Sequence, residues 1–258
     1  METVFFRDLG EMVYQTAWDY QESLLQKNVQ KKSIATKAAG AGTAEIDPAA
    51  ERAITAGAET QNYLLFVDHP PVYTLGKSGK LSNLLLSEQE LSQREIAFFK
   101  TNRGGDITYH GPGQVVGYPI LDLDKFGTDI GKYLRNLEEV ILLTLAEYGI
   151  MGERSPGETG VWIDADLKGR ERKICAIGVR CSRWITMHGF AFNVNTDLEY
   201  FDHIIPCGIE NKQVTSLEKE LGRRIEIDTV KEKIKKNFEQ VFQCTLVNSL
   251  DAVEADNR

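Results

Sequence analysis

Lys173-Ile174-Cys175-Ala176-Ile177-Gly178-Val179, followed after a polar turn around Ser182 and Arg183 by Ile185-Thr186-Met187-His188-Gly189-Phe190-Ala191-Phe192-Asn193-Val194-Asn195, decides the architecture. Both runs have strand length and are rich in β-branched and aromatic residues. Two strands joined so closely must pair antiparallel, because a parallel pair needs a long crossover between them. Working outward, Tyr63–Val67 and Val72–Leu75 read as strands around an Asp68-His69-Pro70-Pro71 corner, where proline removes ladder donors. Val115–Leu121 and Gly160–Ile163 read as further strands. Helical periodicity appears over residues 11–31, with Tyr14, Ala17, Trp18, Leu24 and Leu25 on one face. It recurs over residues 129–148, with Asp129 as N-cap and Gly149 beyond the end. A third helix is expected over residues 229–243, opened by a Thr229-x-x-Glu232 capping box. Helices and strands do not alternate regularly, so the fold class is α+β, a mixed β-sheet flanked by helices.

Residues 33–60 differ in kind. Ten of these 28 positions are alanine and none is a large aromatic, which marks a loosely packed insert or surface loop. At 258 residues, 42% hydrophobic and 26% charged, the composition is that of a soluble globule with a sizeable core. No apolar run is long enough to cross a bilayer, and the first residues lack the basic-then-apolar pattern of a secretory signal. A cytoplasmic protein with no membrane association is expected. A net charge of −8 argues against nucleic-acid binding. The four cysteines, Cys175, Cys181, Cys207 and Cys244, show no CxxC spacing and the four histidines no HxxxH spacing. Free thiols and no metal site are therefore expected.

Two short glycine motifs resemble nucleotide sites and fail on spacing. Gly76-Lys77-Ser78 lacks the upstream glycine of a phosphate loop, since position 71 is proline. Gly111-x-Gly113-x-x-x-Gly117 has a last interval one residue too long for a dinucleotide fingerprint. Both read as turns.

Three segments carry chemistry. Arg103-Gly104-Gly105-Asp106-Ile107-Thr108-Tyr109-His110-Gly111-Pro112-Gly113-Gln114 surrounds arginine, threonine, histidine and glutamine with glycine and proline. Glycine there lets backbone approach a ligand closely while the polar groups orient it. In the second segment, Lys173 begins an otherwise apolar strand. Turned into a pocket, it would lose hydration and become useful for proton transfer. Between Lys168 and Arg183 six basic residues face one acid, Glu171. That island is either a charged, aggregation-resistant hairpin edge or a dock for an acidic carrier protein. Third, Pro206-Cys207-Gly208 displays a cysteine on a turn, whereas Cys175 and Cys244 lie in apolar periodic contexts and read as packing residues. Cys181, in a polar turn expected to be exposed, is a weaker candidate. A thiol with pKa near 8.5 is only about 3% thiolate at pH 7, so a nucleophilic Cys207 needs a neighbouring cation such as Lys173 or His110.

Together these segments resemble the octanoyltransferases of lipoate synthesis, in the biotin/lipoate protein ligase superfamily. The resemblance rests on His69-Pro70-Pro71-Val72-Tyr73-Thr74-Leu75-Gly76, Arg103–Gln114, Lys173–Gly178, His188-Gly189-Phe190-Ala191-Phe192-Asn193, Pro206-Cys207-Gly208 and Val214-Thr215-Ser216-Leu217. It covers roughly residues 11–30 and 61–245, and the 33–60 stretch departs from it as an insertion in one catalytic domain spanning 1–258. It implies a biotin/lipoate ligase-like catalytic fold. It also implies a thioester nucleophile at Cys207 and an acid/base at Lys173. The acyl pocket it implies comprises Arg103, Gly104, Gly105, Asp106, Ile107, Thr108, Tyr109, His110, Ala176, Ile177, Gly178, Gly189, Phe190 and Ala191. The implied donor is octanoyl-acyl carrier protein. The implied acceptors are lysines of the lipoyl domains of 2-oxoacid dehydrogenases and of the glycine-cleavage H protein. Passing an acyl group between thioesters and on to an amine needs no ATP and no cofactor. An ATP-dependent lipoate or biotin ligase on the same fold is the nearest alternative, and a catalytically dead acyl-binding module the next.

Overall fold

The computed structural model describes residues 1–40, 59–205 and 213–248. The hairpin read from the sequence is its centre. Strand β8 (Arg172–Ser182) pairs antiparallel with β9 (Ile185–Asn193) from Cys175–Phe192 to Ser182–Ile185. The turn is two residues, Arg183 and Trp184, at φ 51° and 64°. Left-handed backbone at both positions matches the twist of the strands, so the hairpin closes without glycine.

Around it a mixed sheet runs β10-β8-β9-β6-β2-β1-β11, with β7 also pairing β8. Its other strands are β1 (Glu2–Glu11), β2 (Asn62–Asp68), β6 (Gln114–Ile120), β7 (Val161–Ile163), β10 (Gln213–Val214) and β11 (Cys244–Asn248). Pairs β1–β2, β1–β11 and β8–β10 are parallel, and β2–β6, β6–β9 and β7–β8 antiparallel. A second sheet holds β3 (Val72–Leu75) between β4 (Ala97–Lys100) and β5 (Ile107–His110).

The helices are α1 (Tyr14–Gly40), α2 (Glu88–Gln93), α3 (Leu123–Phe126), α4 (Ile130–Ala146), α5 (Leu217–Leu221) and α6 (Ile227–Phe242). Strand alternation sends Leu64 and Phe66 to a core beneath α4 and α6, with Leu137, Ile141, Ile234 and Phe238. Tyr63, Leu65 and Val67 point the other way, onto Ala17, Leu24 and Leu25 of α1. The small sheet has its own core, with Tyr73, Tyr109 and Phe201.

Several boundaries differ from the sequence reading. The first helix starts at Tyr14 and runs to Gly40, because residues 2–11 form β1. That strand and β11 were not read from the sequence. Only Val4 of β1 is buried, so its alternation is masked and its partners are remote in the chain. The expected insertion therefore begins inside α1, and residues 41–58 lie outside the described residues. Asp129 caps α4 as expected, its side chain accepting from the Lys132 amide at 2.9 Å. The Thr229 capping box does not form. α6 begins at Ile227 with Glu226 at its N-cap, so Thr229 already lies in the first turn. Among the described residues no helix is long and apolar enough to cross a membrane.

Candidate active site

One cavity of about 610 Å³ opens between the hairpin, α1, α4 and the small sheet. Thirteen of the fourteen residues expected at an acyl pocket line it: Arg103, Gly104, Gly105, Asp106, Ile107, Thr108, His110, Ala176, Ile177, Gly178, Gly189, Phe190 and Ala191. Tyr109 is the exception. It is buried in the core of the small sheet, stacked on Tyr200 with ring centroids 4.6 Å apart. Along β5, Tyr109 falls between Thr108 and His110, so strand alternation turns it to the other face. Lys173 lines the cavity, as do Phe201 and Val214, which flank the segment carrying Cys207. Cys207 itself lies outside the described residues.

Small residues make room where the glycine loop meets the hairpin. Ala176 pairs with Ala191 and Gly178 with Gly189 across β8 and β9. A Cβ on Gly178 would stand 2.9 Å from the Gly104 carbonyl oxygen. Its absence lets the loop dock on the strand, with the Gly104 amide donating to the Val179 carbonyl at 2.9 Å.

Arg103 organises that loop from inside. Its Nη2 donates to the Thr74 carbonyl at 2.7 Å, the Thr74 hydroxyl at 2.9 Å and the Asp106 carbonyl at 2.9 Å, and its Nη1 to the Gly104 carbonyl at 3.0 Å. The chain continues through His110, whose Nε2 lies 3.3 Å from the Thr74 hydroxyl. His110 Nδ1 lies 2.9 Å from Gln114 Oε1. Gln114 spends its amide protons on the Tyr109 carbonyl and on Asn193 Oδ1, at 3.2 and 2.9 Å. Its oxygen must therefore accept from His110, which fixes the Nδ1–H tautomer and leaves Nε2 to accept from Thr74. Asn193 in turn donates to the Thr215 carbonyl at 3.0 Å. One directed network thus joins the loop, both sheets and the start of α5.

Three buried histidines lie in this region, His110 and His188 near Arg103 and His69 beside His110. His110 is held far below the usual imidazole range by burial, and then by His69 and Arg103. Burial brings His69 down to about 4 despite its bond to the Met12 carbonyl. Burial, then Arg103 and Arg180, brings His188 down to about 3. All three are neutral at pH 7. His188 sits mid-strand at φ 57°, its amide donating to Gln21 Oε1 and its Nε2 to Asn102 Oδ1, which ties β9 to α1 and to the glycine loop.

Three arginines of the basic island, Arg170, Arg172 and Arg180, are paired with acids within the chain. Arg172 forms a two-pronged pair with Glu220 at 2.6 and 2.7 Å and also meets Asp164, as Arg170 does. Arg180 pairs with Glu22 at 2.6 Å. Lys173 places its Nζ 4.5 Å from the centroid of the Trp162 ring. Cys175 and Cys244 are buried, as expected of packing residues. Cys181, expected to be exposed, is half-buried, and burial pushes its thiol up. The Gly76–Gly79 turn spends its amides on the carbonyls of Asp106, Arg103, Gly105 and Gly76, leaving none to cradle a phosphate. Among the described residues no group of His, Cys, Asp or Glu could hold a metal ion.

Sequence reasoning missed Tyr14, Tyr118, Ile130, Leu134 and the Gly157–Thr159 loop, all at the cavity. Ile130 and Leu134 fall within the helix expected over residues 129–148, and nothing in the sequence ties that helix to a pocket. Tyr14 looked like one more apolar helix residue. In the structure its ring lies parallel to His110, and burial raises its hydroxyl to about 12.

The lipoyl protein ligase A/B catalytic domain matches residues 43–239. An octanoyltransferase of Christiangramia forsetii is 58% identical over 241 residues, covering 93% of this chain and 96% of the relative. One from Flavobacterium psychrophilum is 58% identical over 247 residues, covering 95% and 99%. Among solved structures, a lipoate-protein ligase A bound with ATP superposes with a TM-score of 0.65 at 16% identity, covering 96% of this chain and 88% of that one. A bipartite lipoate protein ligase of Thermoplasma acidophilum gives 0.63 at 17%, covering 96% and 86%. At such identities these two speak for the fold, which is that of the lipoate protein ligases. The sequence relatives go further: the chain belongs to the lipoyl protein ligase A/B catalytic-domain family and, among its members, to the octanoyltransferases, which are acyltransferases.

Proposed function

We propose that the chain takes an octanoyl group from octanoyl-acyl carrier protein onto Cys207 as a thioester and passes it to a lysine of a lipoyl domain. The observation that carries this reading is convergence on one cavity. Lys173 lines it together with Phe201 and Val214, on either side of the segment that holds Cys207. Val214 pairs directly with Lys173, and the Thr215 amide donates to the Lys173 carbonyl at 3.0 Å. The apolar lining of Ile130, Leu134, Ile177, Val179 and Phe190 suits a saturated acyl chain.

Lys173 takes the Cys207 thiol proton, and the thiolate attacks the donor carbonyl. A new C–S bond forms on Cys207 and the donor C–S bond breaks, the departing thiolate receiving the proton from Lys173. The acceptor amine then attacks the Cys207 thioester. Its N–H proton goes to Lys173 as the C–S bond breaks and the amide forms, which restores the ammonium–thiolate pair. Pocket roles follow for Arg103–His110, for Ala176–Gly178 and for Gly189–Ala191. Lipoyl domains of 2-oxoacid dehydrogenases and the glycine-cleavage H protein are the acceptors, and the cytoplasm is the place of action.

Intact-mass measurement after mixing with octanoyl-acyl carrier protein tests the reading. An octanoyl adduct is expected on the wild type and absent from Cys207→Ala. No adduct on the wild type, or one that survives in Cys207→Ala, would overturn it.

A further inference from the structure

Helix α4 carries an acid on its apolar stripe. Glu138 falls four residues after Leu134 and three before Ile141, and it is 0% exposed. A buried carboxylate has to be paired. Its Oε2 accepts from Arg135 at 2.9 Å and from Arg154 at 3.0 Å. Its Oε1 accepts from the Gly160 amide at 3.0 Å. One carboxylate thereby holds both ends of the loop from Arg154 to Gly160.

That loop lies against Lys173. Gly160 stands at φ 120°, and a Cβ there would come within 2.6 Å of the Cys175 carbonyl oxygen and 3.5 Å of Lys173 Cε. The backbone can pack this closely on the Cys175 carbonyl only because position 160 has no side chain, and that packing brings it beside the lysine stem. Two residues on, Trp162 pairs with Lys173 across β7 and β8 and presents its ring to Nζ. Gly157, Glu158 and Thr159 line the cavity beside it. A helix in mid-run has no backbone acceptor to lend, since its carbonyls are spent on its own ladder. The Gly160 amide, buried at this junction, therefore depends on a side-chain acceptor from α4.

We propose that Glu138 is a positioning residue for Lys173: by clamping Arg154 and the Gly160 amide, it sets the backbone wall that aims the lysine into the cavity. This rests on the reading of Lys173 as the proton carrier. Glu138 touches no substrate, and its influence passes through the loop.

The test is a double-mutant cycle on the full chain with octanoyl-acyl carrier protein, following thioester formation in a single turnover by intact mass. Glu138→Gln keeps the size of the side chain and loses the charge that grips the arginines. About a tenfold slower step is expected in the Lys173 enzyme, and no further loss in Lys173→Ala. Should Glu138→Gln fail to fold, Arg154→Gln opens the other end of the clamp from a partly exposed position. It should slow the step about threefold on the same pattern. An equal loss in both backgrounds would mean a merely structural role and would overturn the proposal, as would no loss at all. If Lys173→Ala itself keeps the wild-type rate, the assignment of Lys173 fails and the proposal fails with it. A dead Lys173→Ala beside an unaffected Glu138→Gln would sink the proposal alone.

Discussion

The two polar walls of the cavity are held by different physics. On the glycine-loop side, Arg103, Thr74, His110, Gln114 and Asn193 form a continuous directed network in which each member satisfies the next. On the lysine side, Lys173 packs beside the Gly160 backbone and the Trp162 ring, and the Glu138 carboxylate holds that backbone in place. A buried network is costly to interrupt, because every member left without its partner keeps its desolvation penalty. A packed wall can shift by a fraction of an ångström at little cost in stability, yet such a shift matters greatly to proton transfer. Damage to the first wall should therefore register as lost stability, and damage to the second as lost rate.

Acid should act first and most, through the buried histidines beside the network wall. His69 and His188 fall from an ordinary value of 6.5 to about 4 and about 3 in the folded chain. Because the folded values are the lower ones, the unfolded chain takes up protons first as pH falls. The stability contribution is whole above about pH 6.5 and is lost as pH falls toward 4 for His69 and 3 for His188. Near pH 5 each histidine should cost on the order of 2 kcal/mol. Urea midpoints at pH 7.5 and 5 check this, with His69→Gln and His188→Gln each expected to reduce the difference. A midpoint that does not move between the two pH values would show that burial does not hold these rings neutral.

Next in size is Arg103→Ala. It strips donors from the carbonyls of Thr74, Gly104 and Asp106 and from the Thr74 hydroxyl, in a region the chain buries. A loss of about 3 kcal/mol is expected, read as a lower urea midpoint at unchanged slope. Arg103→Lys should recover little of it, since an ammonium cannot reproduce the planar fork.

This contrast also explains what the sequence could show. The β8–β9 hairpin was legible because both partners are near in the chain and strongly apolar. The turn's place near Arg183 was legible too, but its two-residue left-handed type was not, because Arg183-Trp184 lacks the asparagine or glycine that usually supplies such backbone. The glycine loop was visible through the density of glycine around polar residues, yet the inward turn of Tyr109 needed the register of β5. Strands β1 and β11 were missed because their parallel pairing joins opposite ends of the chain, Glu2 with Cys244. Glu138 left a readable mark, an acid on an apolar helical stripe, and its meaning needed the loop that it clamps. Neither wall could be assembled from sequence alone, since each is made of contacts between distant elements.

The smallest effect expected is also the one that separates shape from charge at the lysine wall. Trp162 is 2% exposed and faces Lys173 Nζ with its ring. A cation–π contact to a partly exposed lysine is worth roughly 1 kcal/mol, so removing the ring face with Trp162→Leu should slow single-turnover thioester formation about fivefold. Trp162→Phe keeps a ring of weaker face and should fall between Leu and the wild type, at about two- to threefold. Both substitutions lose volume, Leu more than Phe, so volume alone would give the same order, and fluorinated tryptophan at position 162 supplies the control: a ring of nearly unchanged volume with a weaker face. A rate that falls with fluorination is thus the signature of the ring's electrostatic hold on the ammonium. An unchanged rate with fluorotryptophan would mean that Trp162 serves only as bulk, leaving the Gly160 backbone as the part of the wall that aims the lysine.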